Sequence, residues 1–390
     1  MGVGARVFLH VGAPKTGTTH LQNVLWHNRT ALAGDGLLYP LQRPFEHFHA
    51  TMDLRGMHWD GKRDPAWAGA WDRLAGRVRE WSGPASVISN EILGGADVEQ
   101  IARAVDTLRP ARVEVVFTAR DLARQLASGW QEHLKHRLPV TFEKFVDDLI
   151  RLGRDAPPPY GEMFWSLHHA VEVLARWEEV VPAENIHVVT VPQAGAPRDL
   201  LWQRFARVLG IDAARYDTDV PGGNPSIGVA QAELLRRVNA VLTNDVVPPR
   251  HSDDLMRVLL GEDILVRDSA GAPKPTLPER RMAWVTDWSQ HLVDGLRKAE
   301  YDVVGDLAEL MPATATTPAP QPEDVSADEL LEPAIVAISG LLGQLGRERD
   351  ELAVLRRALD KPFRSWLDRR HPRAAGYGRR VLAVARRLRR

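Results

Sequence analysis

Short runs of consecutive apolar residues alternate, along the first half of the chain, with segments in which apolar residues recur every three or four positions. Runs of the first kind predict buried strands, and segments of the second kind predict amphipathic helices. The predicted strands cover residues 6–11, 85–89, 113–118 and 186–191, and the predicted helices cover 18–32, 67–81, 98–108, a segment from about 121, 171–180 and 200–209. Such alternation is typical of parallel βαβ units. We therefore expect an α/β fold, a three-layer parallel sheet flanked by helices.

The second half of the chain predicts no further strand. Beyond residue 220 the apolar spacing is helical. The predicted helices there cover residues 229–242, 253–260 and 278–299. We expect one α/β domain that spans residues 1–311.

The end of the chain has a different composition. Residues 312–327 are rich in Pro and Thr, which predicts an extended linker. Residues 328–390 then predict a helical segment that ends in a basic amphipathic tail. Its apolar residues indicate a helix or short coiled coil with a heptad register that is imperfect at three glycines, Gly340, Gly343 and Gly346.

The composition excludes several classes of protein. The chain has 390 residues, 44% of them apolar and 26% charged, which is typical of a soluble globular protein. It has no cysteine, and this excludes disulfides, Cys-ligated zinc, iron–sulfur clusters and a thiol nucleophile. Its first residues predict a strand and not a signal peptide, and the apolar run 334–342 is far below the ~20 residues of a spanning helix. We expect a cytoplasmic protein without a transmembrane segment.

The net charge of −1 conceals an uneven distribution. Residues 361–390 contain eleven Lys or Arg and one acidic residue, so this tail carries +10 and residues 1–360 carry −11. A basic tail either folds back on an acidic body or contacts a polyanionic partner. The alternatives left open are an anionic membrane surface, at the inner face of the membrane, and self-association through the helix; a nucleic acid is not expected.

A loop between the first strand and the first helix has the composition of a phosphate site. Backbone N–H groups at the start of a helix, with the helix dipole, bind a doubly charged phosphate. The loop reads Gly12-Ala13-Pro14-Lys15-Thr16-Gly17-Thr18-Thr19. A Walker A loop instead places Lys directly after the second Gly and before the Ser or Thr that binds Mg²⁺. The next strands end in Asn90-Glu91 and Ala119-Arg120, with only Asp121 nearby, so no metal site is expected.

The sequence P-K-T-G-T-T after an apolar strand resembles the 5′-phosphosulfate loop of sulfotransferases that use 3′-phosphoadenosine-5′-phosphosulfate (PAPS). In that family the third strand leads to an Arg and, eight residues later, a Ser, both on the 3′-phosphate of PAPS. Here the third predicted strand leads to Arg120 and then to Ser128. A guanidinium at a strand end and a hydroxyl two helical turns further on can converge on one phosphate.

The resemblance extends over about residues 5–312. Within the family, the chain is similar to the actinobacterial members of the P-loop type. It includes segments that contain Asn224 and Ser226, and a closing segment at 301–307. Cytosolic members carry a Trp after the loop threonines, where this chain has His20, and a late R-K-G-x-x-G segment, which this chain lacks.

The resemblance implies that PAPS is the co-substrate and that it is bound by Lys15, Thr16, Gly17, Thr18, Thr19, Arg120 and Ser128. Lys15 would meet the charge on the leaving phosphate, and no metal would be required. The acceptor needs a general base, for which Glu91 is the first candidate because it follows a strand end at the ligand-binding edge of the sheet. His47 is the second candidate, with Glu46 and His49 close behind. Trp130 would lie near the adenine.

The sequence thus predicts a sulfotransferase that acts on a hydroxyl or amine of a glycan, glycolipid or small metabolite. Two other functions stay open. A P-loop kinase or ATPase would require Mg²⁺-dependent nucleotide binding, and a non-catalytic scaffold would only display the C-terminal helix and basic tail.

Overall fold

Six parallel strands form one sheet in the order β2-β3-β1-β4-β5-β6. The structure, a computed structural model, describes residues 4–58, 64–220, 226–313 and 320–370, with the side chains of 358–370 excepted. The strands are β1 (Arg6–Gly12), β2 (Leu37–Leu38), β3 (Ala85–Ser89), β4 (Arg112–Ala119), β5 (Ile186–Thr190) and β6 (Asp302–Val304). The chain crosses from β3 on one side of β1 to β4 on the other, which creates a crevice at the carboxyl end of β1.

The two faces of the sheet are buried under two layers of helices. Alternate residues of a strand point to opposite faces, so Val7, Leu9 and Val11 join one core while Phe8 joins the other. Because both faces are covered, the strands are nearly continuous apolar runs. The three-layer α/β fold expected from the sequence is confirmed.

The helices around this sheet agree with the predicted pattern in most places. They are α1 (Thr18–His27), α2 (Arg29–Gly34), α3 (Glu46–Leu54), α4 (Ala70–Glu80), α5 (Val98–Leu108), α6 (Leu122–Lys135), α7 (Phe142–Leu152), α8 (Tyr160–His168), α9 (Ala170–Glu178), α10 (Leu200–Leu209), α11 (Val229–Val241), α12 (Glu279–Lys298) and α13 (Ala327–Arg370), with a π-helix at Asp253–Val266. The expected single helix over 18–32 is broken at Asn28, whose side-chain amide donates to the carbonyl of Val24. That bond caps α1 and lets α2 start in a new direction.

Two strands were not expected from the sequence. β2 and β6 have two and three residues, too short for a period-2 pattern to stand out. The prediction that no strand follows residue 220 is wrong, because β6 pairs with β5 from His187 opposite Asp302 to Val189 opposite Val304. Both short strands lie at the edges of the sheet and extend it beyond the four predicted strands.

The chain divides by its contacts into two units, Met1–Leu330 and Leu331–Arg390. The first unit extends beyond the predicted boundary at 311 because Val325 and Leu330 pack against Val229 of α11. Residues 314–319 of the predicted linker and the basic tail from 371 lie outside the described residues.

Helix α13 begins at a reciprocal cap. The backbone N–H of Ser326 donates to the Glu329 carboxylate at 2.9 Å, and the backbone N–H of Glu329 donates to the Ser326 hydroxyl at 3.3 Å. The helix runs on without a break through its three glycines. Its part at Ala327–Arg357 contains an 18-residue window with a mean hydropathy of 1.2, which is, by length and composition alone, apolar enough to cross a membrane. From the sequence alone we expected a shorter apolar run, at residues 334–342.

The end of the α/β body is held by a partly buried ion pair. Arg204 of α10 donates two hydrogen bonds to the Glu309 carboxylate, at 2.6 and 3.0 Å, and the Thr190 hydroxyl donates a third at 2.5 Å. Burial alone would raise the pKa of Glu309, but these bonds outweigh it and lower the pKa. The carboxylate therefore joins the end of β5 to the segment that follows β6.

Replacing Glu309 by Gln should destabilise the fold at pH 7 by about 1–3 kcal/mol, because charge-assisted hydrogen bonds are lost. A carboxylate whose pKa is lowered on folding stabilises above its unfolded pKa and loses that contribution as the pH falls through its folded pKa. The difference in the free energy of unfolding between Glu309→Gln and the unchanged protein should therefore disappear below about pH 4, as measured by urea unfolding. The exposed Glu99, changed to Gln, is the control. A difference that is the same at about pH 3 and pH 7 would contradict this account.

Candidate functional site

The loop from Ala13 to Gly17 turns the chain from β1 into α1 at the carboxyl edge of the sheet. Two of its residues adopt left-handed backbone conformations, Lys15 at φ 62° and Gly17 at φ 86°. Space at Gly17 is also short, because an added Cβ would lie 2.5 Å from Cδ2 of Leu201, so the leucine side chain would have to move. Gly17 is therefore required both by its conformation and by the packing of α10.

A buried chain of hydroxyl and imidazole groups holds this loop on the sheet. The Thr118 hydroxyl donates to the carbonyl of Gly12 at 2.7 Å, and the Thr16 hydroxyl lies 2.5 Å from both Thr118 Oγ1 and the carbonyl of Ala13. His10 connects to Thr118 through Nε2 at 3.2 Å and to Ser89 through Nδ1 at 2.8 Å. Burial lowers the pKa of His10 to about 3, so its ring is neutral and joins β3, β1 and β4.

The first turn of α1 presents backbone donors at the end of the loop. Gly17 is the N-cap residue and offers no side chain to satisfy them. The first N–H groups of a helix have no acceptor within the helix, so those of Thr18 and Thr19 are available to an anion. The helix dipole adds a partial positive charge at the same place.

The guanidinium of Arg120 contacts the backbone of Lys15 beside this turn. Nη1 of Arg120 donates to the backbone carbonyl of Lys15 at 2.8 Å and lies 3.5 Å from the Ser128 hydroxyl. Nζ of Lys15 donates to the Glu132 carboxylate at 2.6 Å. Nε of Arg120 is buried and has no hydrogen-bond acceptor among the described residues. The structure thus places the Arg120 guanidinium against the loop backbone and beside the Ser128 hydroxyl. The role of these residues in binding a ligand stays a prediction.

The charges at this place follow from burial and pairing. Burial lowers the pKa of Arg120 to about 10, which leaves the guanidinium charged at neutral pH. Burial alone would raise the pKa of Glu132, but the neighbouring Lys15, His136 and Lys135 together outweigh it and hold that pKa well below its usual range. Burial lowers the pKa of His133 and of His168 to about 4, so both rings are neutral. Lys15 and Arg120 supply the positive charge next to the loop.

Glu91 lies at the start of a 3₁₀ turn, Glu91–Gly95, directly after β3. Its carboxylate accepts a hydrogen bond at 3.3 Å from Gln22 of α1. Burial raises the pKa of Glu91 and outweighs the opposing effects of Gln22 and Lys15. This carboxylate is therefore more basic than an ordinary glutamate and lies within electrostatic range of the loop lysine.

His47 lies on α3, against the end of β3. Its Nδ1 accepts the backbone N–H of Ser89 at 3.2 Å, so the ring proton belongs on Nε2, which has no acceptor among the described residues. Burial lowers the pKa of His47 to about 3. The lone pair that a general base would use is therefore already engaged.

The two residues that flank His47 make other contacts. The Glu46 carboxylate accepts Nη2 of Arg77 at 3.0 Å, and the His49 ring stacks on Trp67 with centroids 6.1 Å apart. These contacts hold α3 against the rest of the fold.

Trp130 and Asp121, two residues considered from the sequence, make structural contacts. Trp130, expected near the adenine, is fully buried against Phe142 and donates from Nε1 to the carbonyl of Val140, so its ring offers no exposed surface for stacking. Asp121, considered for Mg²⁺, caps α6 and is paired with Arg124. Of the segment with Asn224 and Ser226, residue 224 lies outside the described part of the chain.

Sequence reasoning missed two polar residues of the site, Gln22 and Glu132. A signal for both was present: Gln22 follows Thr18 by four residues and Glu132 follows Ser128 by four, so each shares a helix face with a predicted site residue. Neither belongs to the motif that carried the interpretation. Among the described residues no group of three or more His, Asp or Glu is arranged to hold a metal ion.

Comparisons with known proteins give a distant likeness among solved structures. No family model and no curated protein matches the chain. A sulfotransferase from Alicyclobacillus acidocaldarius matches with a TM-score of 0.36 and 18% sequence identity, over 64% of this chain and 94% of that chain. These values describe a distant likeness, and the contacts of this chain's own site carry the functional proposal.

The neutral state of His47 has a measurable consequence. Below about pH 6.5 the unfolded chain protonates this histidine while the folded chain does not, so stability should fall with decreasing pH by up to about 1.4 kcal/mol per pH unit. We expect His47→Gln to reduce that slope in urea unfolding between pH 6.5 and pH 4.5. The exposed His291, changed to Gln, should leave the slope unchanged. Equal slopes in all three proteins would show that His47 is protonated in the fold.

Proposed function

We propose that this protein is a sulfotransferase that moves the sulfuryl group of PAPS to a hydroxyl or amine of a glycan, glycolipid or small metabolite. The observation that carries the proposal is the convergence of Lys15 and Arg120 beside the first turn of α1, with Nε of Arg120 buried and lacking an acceptor among the described residues. A buried, charged donor without an acceptor destabilises the fold unless an anion accepts its hydrogen bond.

The residues fit a ligand with two separate anionic groups. The N–H groups of Thr18 and Thr19, together with Lys15, form one cationic end. Arg120 and Ser128 form the other, where the planar guanidinium suits a phosphate. PAPS has this distribution of charge, with a phosphosulfate at its 5′ end and a phosphate at its 3′ end.

Lys15 has a carboxylate partner that an anionic ligand would have to displace. The 2.6 Å pair with Glu132 is about one-third exposed on the carboxylate side, so water can replace Lys15 there. In the proposed reaction Lys15 turns from Glu132 to the leaving phosphate and meets the negative charge that develops on its bridging oxygen.

Glu91 is the general base in this proposal. It takes the proton of the acceptor hydroxyl or amine as the new bond to sulfur forms and the bond from sulfur to the phosphate oxygen breaks. Its raised pKa suits it to accept a proton, and Gln22 orients it. PAPS supplies the activated sulfuryl group, and the protein supplies position and charge.

The kinase alternative is disfavoured by the state of one carboxylate. Asp121, the acidic residue nearest to a strand end beside the loop, caps α6 and pairs with Arg124, which leaves it poorly suited to hold Mg²⁺. A scaffold would have no use for a guanidinium whose buried Nε lacks an acceptor among the described residues. Both alternatives are outcomes of the titration below.

The first test is calorimetric titration with 3′-phosphoadenosine-5′-phosphate, the desulfated product. We expect micromolar affinity without metal, a loss of at least tenfold in Arg120→Ala because a phosphate partner is removed, and tighter binding in Glu132→Gln because the competitor for Lys15 loses its charge. Arg103→Ala, at an exposed pair with Asp72, should bind as the unchanged protein does.

Preference for ATP with Mg²⁺ in the same titration would favour the kinase. No binding of either nucleotide would favour the scaffold. Either result would contradict the proposal.

The second test concerns Glu91. With PAPS and a panel of glycan, glycolipid and amine acceptors, Glu91→Gln should lower kcat by about 10²–10⁴-fold, because the proton acceptor is removed. In the unchanged protein kcat/KM should fall as the pH decreases through the pKa of Glu91, at a higher pH than for an ordinary glutamate. Glu99→Gln should retain full activity. Full activity in Glu91→Gln would exclude this base, and full activity in Lys15→Ala would contradict the transferase itself.

A further inference from the structure

The long helix α13 carries a stripe of exposed aliphatic side chains. Six of them are between 46% and 63% exposed, which is unusual for residues of this type on a surface. They are Leu331, Ile335, Ile338, Leu342, Leu345 and Leu352. We call them the α13 stripe.

The spacing of the stripe is that of a coiled coil. From Leu331 to Leu345 the steps alternate between four and three residues, an average of 3.5, and Leu352 follows seven residues later. In heptad notation Leu331, Ile338, Leu345 and Leu352 occupy the d positions, while Ile335 and Leu342 occupy a positions. A repeat of 3.5 residues is typical of helices that wrap around each other with a left-handed twist.

The three glycines that weakened the sequence-based heptad fall outside this seam. Gly340 is at f, Gly343 at b and Gly346 at e, so none of them occupies an a or d position. The helix is continuous through all three. The register is therefore regular along the face that matters for pairing.

The composition of α13 favours a protein partner over a lipid. A helix buried in lipid is apolar all around, and one that lies on an anionic membrane carries mainly basic residues on its polar face. After residue 346 the helix instead carries both signs of charge, including Glu348, Asp350 and Glu351, while Leu352 continues the stripe. The α13 stripe therefore continues into a part of the helix whose other residues are charged, as in a helix that packs along another helix.

We propose that the α13 stripe pairs with the same stripe of a second copy of this chain in a parallel two-stranded coiled coil. The seam from Leu331 to Leu352 spans about the three heptads that such pairing needs. Leucine at three of the four d positions and the β-branched Ile335 at a favour two parallel strands, while Ile338 at d and Leu342 at a depart from that pattern.

Charge supports the parallel orientation. Arg349 is at an a position, inside the seam, and Glu348 precedes it at g. In a parallel pair a residue at a packs beside the preceding g residue of the other helix, so Arg349 of each copy lies next to Glu348 of the second copy. A polar residue at one a position also penalises shifted registers, which sets the alignment.

The first experiment measures the mass of the full chain by sedimentation equilibrium at micromolar concentration. We expect twice the 43.5 kDa of one chain. Leu345→Glu, which places a charge in the seam, should give the monomer. Val354→Glu is the matched control: Val354 is 62% exposed on the same helix but lies at f, so the dimer should persist. Both side chains are exposed in a single chain, so neither substitution should unfold it.

The second experiment tests orientation and uses the absence of cysteine from the chain. Under mild oxidation Ile338→Cys should form a cross-linked dimer, because equal d positions face each other in a parallel pair. Gly343→Cys should not, since b points away from the seam. An added Cβ at Gly343 approaches no atom closer than 3.7 Å, so this control is not strained.

Four results would overturn the proposal. These are a monomeric unchanged chain, a dimer that survives Leu345→Glu, equal loss of the dimer in Val354→Glu, and cross-linking of Gly343→Cys as fast as Ile338→Cys. A monomer that sediments with vesicles of phosphatidylcholine and phosphatidylserine, but does not after Leu345→Glu, would assign the stripe to a membrane instead.

Discussion

The hydroxyl of Thr118 is the point on which the site depends. It donates to the carbonyl of Gly12, lies within hydrogen-bond distance of Thr16, and is contacted by the neutral ring of His10. Through these contacts the end of β4 fixes the start of the loop, and Thr16 fixes its middle. Because the same strand continues directly into Arg120, the position of the loop and that of the arginine are set by one element.

Two carboxylates from different parts of the fold lie near the loop lysine. The carboxylate of Glu132 comes from α6 and that of Glu91 follows β3, and their pKa values move in opposite directions. Glu132 is held ionised by Lys15, whereas burial makes Glu91 the more basic of the two. Two carboxylates near one lysine can therefore perform different tasks, the first as its resting partner and the second as a proton acceptor.

The hydrophobic pattern of the sequence predicted the longer strands and missed the strands of two and three residues. β1, β3, β4 and β5 are apolar runs of five to eight residues, but β2 and β6 are formed by pairing at the sheet edges and leave almost no local trace. The approach of Arg120 to the backbone of Lys15 and to the Ser128 hydroxyl agrees with their spacing, since strand ends and helix periods fix directions. The full burial of Trp130 and the engaged nitrogen of His47 depend on packing between distant segments, which spacing does not encode.

The approach of Leu201 to Gly17 links two positions that are far apart in sequence. A methyl group at residue 17 would meet the leucine at 2.5 Å, so the steric part of its cost depends on what residue 201 is. The conformational part, set by the left-handed backbone, does not. A smaller residue at 201 would relieve only the first part, so the two substitutions would be non-additive in a double-mutant cycle. The loop and α10 therefore form an epistatic pair, in which a change on the outer helix alters which sequences the loop can tolerate.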